Sequence, residues 1–256
     1  MVRFSPANGK LTKLQKRLRL EDSIWLLDNR KVYSFDLLAG VTCPMAHICK
    51  SRVVEYDKGN GKRGLKVKDG KDTEIRCFMA TAEARSNNCY DLHKANTEAI
   101  QACKTSEEMA DLIEAAIPDD CGVVRIHASG DFFNATYFNA WLLVIARRPD
   151  ILFYCYTKSI NLFDGVDLPY NFSVTFSRGG RLDHMIDARN LREAVIVYSH
   201  KAAYAMQLEI DNDDSHAALP EYRGQSFALL IHGTQPKGSE AGKAVYALRK
   251  AAKMSA

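Results

Sequence analysis

Short apolar runs alternate with longer amphipathic stretches along most of the chain. Val32 to Leu38, Val123 to His127, Ile151 to Tyr156, Phe172 to Phe176, Ala194 to Tyr198 and Phe227 to Ile231 are rich in β-branched and aromatic residues, and polar or glycine-bearing residues follow each run. This combination predicts six strands. Helical spacing covers Leu11 to Arg19, Thr81 to Cys103, and a stretch opening at Thr105-Ser106-Glu107-Glu108 and closing before Pro118. Ser or Thr shortly before Glu is a capping signal for that third helix. Further helices are expected over Ala135 to Arg147, with Phe138, Trp141, Leu142 and Ile145 on one side, about Arg181 to Arg192, and about Glu240 to Lys253. Strands that are apolar throughout and separated by helices belong to parallel sheets covered on both faces. The expected fold class is therefore α/β, as a partial parallel (β/α)6 barrel or a doubly wound sheet.

Residues 1–256 read as a single α/β domain with a basic N-terminal segment over residues 1–30. Residues 57–72 (DKGNGKRGLKVKDGKD) carry four glycines among many charges and are expected to form a flexible hairpin or lid inserted between cysteines. At 46% hydrophobic and 26% charged, the chain has the composition of a protein with a sizeable core. No apolar run is long enough to cross a bilayer and the N-terminus lacks the apolar core of a signal peptide, so a cytoplasmic protein without a membrane partner is expected. The net charge of +4 is mild, but Lys10, Lys13, Lys16, Arg17 and Arg19 cluster, as do Lys58, Lys62, Arg63, Lys66, Lys68 and Lys71. Such patches make nucleic acid a candidate partner.

The polar residues gather after the strands. Cys43 and Cys49 follow the first, His127-Ala-Ser129-Gly130-Asp131 the second, Thr157-Lys158-Ser159 the third and Ser177-Arg178-Gly179-Gly180 the fourth. Ser199-His200-Lys201 and His232-Gly233-Thr234-Gln235 follow the fifth and sixth. In parallel barrels all these ends open on one face, which holds the site. His127, Ser129, Asp131, Lys158 and Arg178 are therefore the expected pocket residues.

Seven cysteines, an odd number in a chain of this length, do not suggest a disulfide framework. Cys103, Cys121 and Cys155 lie in or beside apolar elements and suit a core. Cys43, Cys49 and Cys77 have polar or charged neighbours such as His47, Lys50, Arg52 and Arg76 and suit a metal site. Their spacing matches neither paired zinc knuckles nor a ferredoxin run. Three thiolates can hold a cubic iron–sulfur cluster with one iron open, whereas structural zinc would need a fourth ligand such as Cys89 or His47. Gly238-x3-Gly242-Lys243-Ala244 has the wrong spacing for a nucleotide-binding loop, and there is no hydrolase elbow or HExxH pattern.

The segments TCPMAHICKS, IRCFMATAEA and VVRIHASGDFFNATYFNAWLLVIARRPDILFYCYTKS resemble the phage gene product 88 family of bacteriophage and prophage proteins, over roughly residues 33 to 235. The resemblance implies that Cys43, Cys49 and Cys77 are the family's recurring cysteines and that the protein works in the host cytoplasm. The order of motifs is also similar to radical S-adenosylmethionine enzymes. There, a loop after the first strand carries three cluster-binding cysteines and a loop after the second holds the methionine amino group. That similarity implies cofactor binding by Ser129, Gly130 and Asp131, although C-x5-C with a remote third cysteine replaces the usual C-x3-C-x2-C. The leading expectation is a redox or radical-type enzyme with a [4Fe-4S] cluster on Cys43, Cys49 and Cys77, with S-adenosylmethionine as a second cofactor. In this reading Asp131 and Ser129 orient an amine, Lys158 and Arg178 hold an anion, and His127 bonds a ligand or a cluster sulfur. The alternative is a metal-stabilised, non-enzymatic phage protein, zinc or cluster, that binds nucleic acid or a host factor.

Overall fold

The computed structural model describes residues 1–59 and 61–254, so Asn60 of the 57–72 insertion lies outside the described residues. Its strands are β1 (Ser5–Pro6), β2 (Lys31–Phe35), β3 (Ser51–Asp57), β4 (Arg63–Asp69), β5 (Cys121–Ile126), β6 (Leu152–Thr157), β7 (Phe172–Ser177), β8 (Glu193–Val197) and β9 (Phe227–Leu230). The α-helices are α1 (Gly9–Leu20), α2 (Phe78–Arg85), α3 (Asn87–Ala102), α4 (Ser106–Glu114), α5 (Ala135–Arg147), α6 (Asp183–Arg189), α7 (His200–Ala205), α8 (Ser215–Ala218) and α9 (Glu240–Met254).

Seven strands form one open sheet in the order β1-β2-β5-β6-β7-β8-β9, and β3 and β4 pair separately as an antiparallel hairpin. Within the sheet only β1 runs antiparallel to its neighbour. The protein is thus a mixed α/β structure with a mostly parallel sheet. The six expected strands correspond to β2 and β5 to β9. Their spatial order follows chain order throughout, without the reversal that defines a doubly wound sheet.

Alternating side chains divide the core into two layers. On one face Phe35, Val124, Ile126, Phe153 and Cys155 meet Met109 and Ile113 of α4 and Tyr137, Trp141 and Val144 of α5. Trp141 is fully buried, edge-on to Phe35 and Phe153. On the other face Val32, Val123, Leu152, Tyr154, Ala194 and Phe227 meet Leu11, Leu14 and Leu18 of α1 and Ala217 and Ala218 of α8. The leucines of α1 recur at helical spacing, which turns its apolar stripe to the sheet and leaves Lys13 and Lys16 exposed.

This second layer also contains a buried charge cluster. The Asp214 carboxylate, fully buried, accepts from Arg125 Nη1 at 2.6 Å, Tyr154 at 2.9 Å and Tyr156 at 2.9 Å, and pairs with Lys10 Nζ at 2.6 Å. Burial alone would raise its pKa, but Arg125 and Lys10 bring it down to about 2. One carboxylate therefore joins α1, β5, β6 and the start of α8.

Two helices differ from the sequence pattern. The stretch Thr81 to Cys103 is broken, because Ser86 adopts extended φ/ψ and its hydroxyl accepts from Cys89 N, capping a new helix. The helix expected over Arg181 to Arg192 spans only Asp183–Arg189, since Asn190 turns left-handed. The Thr105/Glu108 capping box forms as the sequence suggests.

Replacing Asp214 with Ala should lower stability by about 3–5 kcal/mol, because Arg125 would remain charged and buried without its partner. Urea unfolding measures this. The folded pKa lies below the unfolded carboxylate value, so the contribution is complete above about pH 4 and is lost as pH falls toward 2. Wild type should lose stability steeply across that window, and the variant should lose much less.

Candidate functional site

A pocket of ≈ 200 Å³ opens over the carboxyl ends of the parallel strands. Cys43, Cys49 and Cys77 all line it, with Arg125, His127 and Tyr156 from β5 and β6 or the loop that follows β5. The cysteine-bearing segments reach it by crossing over the sheet. Residues 45–48 are stitched to the loop after β7 by His47 N and Ile48 N donating to Gly179 O and by Arg181 N donating to Met45 O. A Cβ at Gly179 would lie 2.5 Å from Ile48 Cδ1, and φ there is +99°, so only glycine allows the crossing. On the far side Gln235 accepts from Arg76 N at 2.7 Å and donates to Arg76 O at 3.1 Å, which ties the residue before Cys77 to the loop after β9. Hairpin β3–β4, containing much of the 57–72 insertion, connects the two crossings.

The three thiols are free. Burial raises the pKa of Cys43 well above normal, and Asp131 and Cys77 reinforce the shift. Burial, with help from Cys49, pushes Cys77 up to about 12. By themselves Cys43 and Cys77 hold their protons, and a cationic centre bound there would release protons as it bound. Among the described residues, no three His, Cys, Asp or Glu side chains converge closely enough to hold a single metal ion. A tetrahedral zinc site needs sulfurs about 4 Å apart. Three thiols lining one cavity are, in donor chemistry, ligands that either a cluster or a zinc ion accepts. Cys89 does not line this pocket, and Cys121 and Cys155 are buried in the sheet as expected of core thiols.

Beneath the pocket lies a network that the sequence reading missed. Glu83 of α2 is fully buried, and its Oε1 accepts from Ala39 N at 3.0 Å and Ser129 Oγ at 3.0 Å and lies 2.8 Å from His93 Nδ1. His93 Nε2 faces Cys89 Sγ at 3.7 Å and Asp36 Oδ2 at 3.9 Å. Asp36 in turn accepts from Ser129 N at 2.9 Å and Ser34 Oγ at 2.7 Å. Burial opposes the His93 charge, but hydrogen bonds to Cys89 and Glu83, aided by Asp36, raise its pKa to about 10. The available signal was a lone glutamate in an alanine-rich helix ten residues before a histidine, and only the fold shows that they meet.

The expected pocket residues divide into three groups. His127 lines the cavity while its ring packs against Phe132, Tyr137 and Trp141: Nε2 is 2.8 Å from Tyr137 Oη, and buried Nδ1 has no partner among the described residues. Burial, assisted by Arg125, lowers its pKa to about 3, so the ring stays neutral. Ser129, Asp131 and Lys158 line the pocket but hold the protein together. Asp131 accepts from Phe132 N, Thr157 Oγ1 and Lys158 N, and Lys158 Nζ donates to Ser177 O, Ser177 Oγ and Arg178 O. Gly130 has φ +92°, and a Cβ there would lie 2.7 Å from Thr42 Oγ1. Arg178 does not line the pocket; it is bound to Glu193 and Asp187. Arg125 does line the pocket; Asp214 holds its Nη1, its Nε is buried without a partner among the described residues, and its guanidinium lies 4.9 Å from the Tyr156 ring centre. Its sequence signal was a charge inside the apolar run VVRIH.

Fold and site together define a mostly parallel α/β protein with a thiol-lined pocket at the carboxyl end of its sheet. The chain belongs to the gene product 88 family, whose model matches residues 3–251. No curated protein matches the sequence and no solved structure matches it. Among the described residues, no helix is long and apolar enough to cross a membrane.

The two histidines should titrate in opposite directions. Long-range nitrogen–proton NMR should find His93 doubly protonated at pH 8 and His127 neutral at pH 5, and Glu83→Gln should lower the His93 midpoint. His93 has a raised folded pKa, so its contribution is complete below about pH 6.5 and fades as pH rises toward 10. His127 has a lowered one, so stability falls as pH drops from about 6.5 toward 3, where only the unfolded chain takes up the proton. A His93 that titrates near its ordinary value would remove the buried ion network.

Proposed function

We propose that this phage-family protein binds a [4Fe-4S] cluster through Cys43, Cys49 and Cys77 and acts as a redox or radical-type enzyme on a substrate held in the pocket. One observation carries the reading: three thiols from two separate segments line a single cavity at the carboxyl end of a parallel sheet, beside a neutral histidine and a buried arginine. Three protein thiolates leave one iron of a cubic cluster open, as a reactive centre requires. When bound, such a cluster supplies one-electron chemistry to a ligand at that open position.

The chain's own residues bind and orient. His127 lines the pocket with its Nδ1 buried and unpartnered among the described residues, and in this reading that nitrogen bonds a ligand or a cluster sulfur once one is bound. Lys158 and Arg178 are engaged with protein groups and Arg125 with Asp214, so of the three only Arg125 keeps a donor unpartnered among the described residues, Nε, for an anion in this reading. Asp131 and Ser129 keep the Gly130 loop against the cavity, through Thr157 and Lys158 on one side and Glu83 on the other.

The finer architecture proposed is a partial (β/α)6 barrel of the radical S-adenosylmethionine kind. Support comes from the unreversed order of six parallel strands and from cysteines that follow the first of them. S-adenosylmethionine is proposed as the second ligand, with the Ser129-Gly130-Asp131 loop beside it.

Anaerobic reconstitution with iron and sulfide should give a brown protein with about four irons. Cys77→Ala should abolish the chromophore, and Cys155→Ala should keep it in whatever fraction folds. Colourless protein with stoichiometric zinc, or colour that survives Cys77→Ala, would overturn the reading. Binding of S-adenosylmethionine to the reconstituted protein, followed by calorimetry, tests the second cofactor separately.

A further inference from the structure

Hairpin β3–β4 sorts its charges by face. Its register pairs Arg52 with Lys68, Val54 with Lys66 and Tyr56 with Gly64, and paired residues of an antiparallel ribbon point the same way. That face carries three cations and no acid. The opposite face pairs Ser51 with Asp69, Val53 with Val67, Glu55 with Leu65 and Asp57 with Arg63, so all of the hairpin's carboxylates are there. This second face meets the body of the protein: Val67 packs against Met79 and Ala80, Lys94 bonds Glu55 and Asp91 bonds Arg63. The inner face is thus neutralised by its neighbours.

The outer face is not neutralised. Arg52, Lys66 and Lys68 are exposed, and among the described residues none is paired with a carboxylate. Like charges directly opposite each other destabilise a ribbon, and Arg52 stands opposite Lys68 with Lys66 on the diagonal. Lys58 and Lys62 continue the cationic row, exposed at the hairpin tip, and Lys71 extends it beyond the base. The Tyr56 ring lies over Gly64, where a Cβ would come within 2.4 Å of ring carbon Cζ. Tyr56 is 41% exposed, and Lys66 Nζ lies 5.3 Å from its ring centre. An exposed aromatic ring inside a strip of unpaired cations matches the chemistry of a phosphate backbone with unpaired bases. A duplex would offer the phosphates but keep its base faces stacked.

We propose that the outer face of hairpin β3–β4 binds a single-stranded nucleic acid, with phosphates on Arg52, Lys66 and Lys68 and a base stacked on Tyr56. This inference is independent of the cluster, because none of these residues lines the thiol pocket.

Fluorescence anisotropy with a labelled oligothymidylate of about 16 nucleotides, run between about 50 and 200 mM salt, tests it. Affinity should fall as salt rises. The triple variant Arg52→Gln, Lys66→Gln, Lys68→Gln should bind at least tenfold more weakly, and its log–log salt slope should be smaller by about 2, at about 0.7 for each phosphate that the variant no longer neutralises. Tyr56→Leu, which keeps a cover on Gly64, should weaken binding roughly tenfold and leave the slope unchanged. A control triple, Lys201→Gln, Lys237→Gln, Lys250→Gln, removes the same charge elsewhere and should change the slope little. Circular dichroism on each variant checks folding. Unaltered binding by the folded hairpin triple, an equal loss in the control triple, or equally tight binding of a duplex or of polyglutamate would each overturn the proposal.

Discussion

Three groups from three parts of the chain meet on one carboxylate oxygen, Glu83 Oε1: the Ala39 amide, the Ser129 hydroxyl and the His93 ring. Ala39 opens the loop to Cys43, Ser129 belongs to the loop after β5, and Glu83 stands on the helix that starts immediately after Cys77. The positions of the cysteines relative to the second-strand loop therefore depend on an acid that touches none of the thiols directly. A buried carboxylate is costly unless paired and hydrogen-bonded, and the raised pKa of His93 reflects how this one is compensated. The arrangement has little tolerance, since loss of one partner leaves the others buried without compensation.

A second buried acid, Asp214, performs the same task on the inner face of the sheet. It neutralises Arg125 and Lys10 and receives two tyrosine hydroxyls, so that helix α1 and strands β5 and β6 share one counter-ion. Arg125 also reaches the pocket, which links the packing of the N-terminal helix to the polarity of the pocket floor. The crossings above the sheet complete the enclosure. Gly179 admits Ile48, and Gln235 holds Arg76 by both backbone groups. Three independent sets of contacts thus surround one cavity, and each joins segments far apart in the chain.

The side chains that looked most chemical in the sequence proved unequal once placed. Asp131 and Lys158 line the cavity, yet Asp131 uses both carboxylate oxygens and the Lys158 ammonium all of its donors to bind neighbouring strand ends. Arg178 faces acids outside the pocket. His127 retains a free nitrogen because Tyr137 satisfies only one side of its ring. A polar residue at a strand end can either face the cavity or brace the loop, and residue type does not distinguish the two.

Hydrophobic periodicity by itself determined the six parallel strands and most of the helices, since apolar runs of strand length between amphipathic segments can bury their surface in few other ways. It also separated the buried Cys121 and Cys155 from the cysteines with polar neighbours, because burial follows local apolar context. Long-range pairing alone decided the rest. The strand order, the crossing of the cysteine segments over the sheet, the meeting of Glu83 with His93 and the segregation of charge on the hairpin all depend on which residues become neighbours in space. A one-dimensional pattern records that a residue is charged, but its partner is settled only when the chain has folded. That partner is what makes Asp214 a structural counter-ion and leaves Lys66 without one.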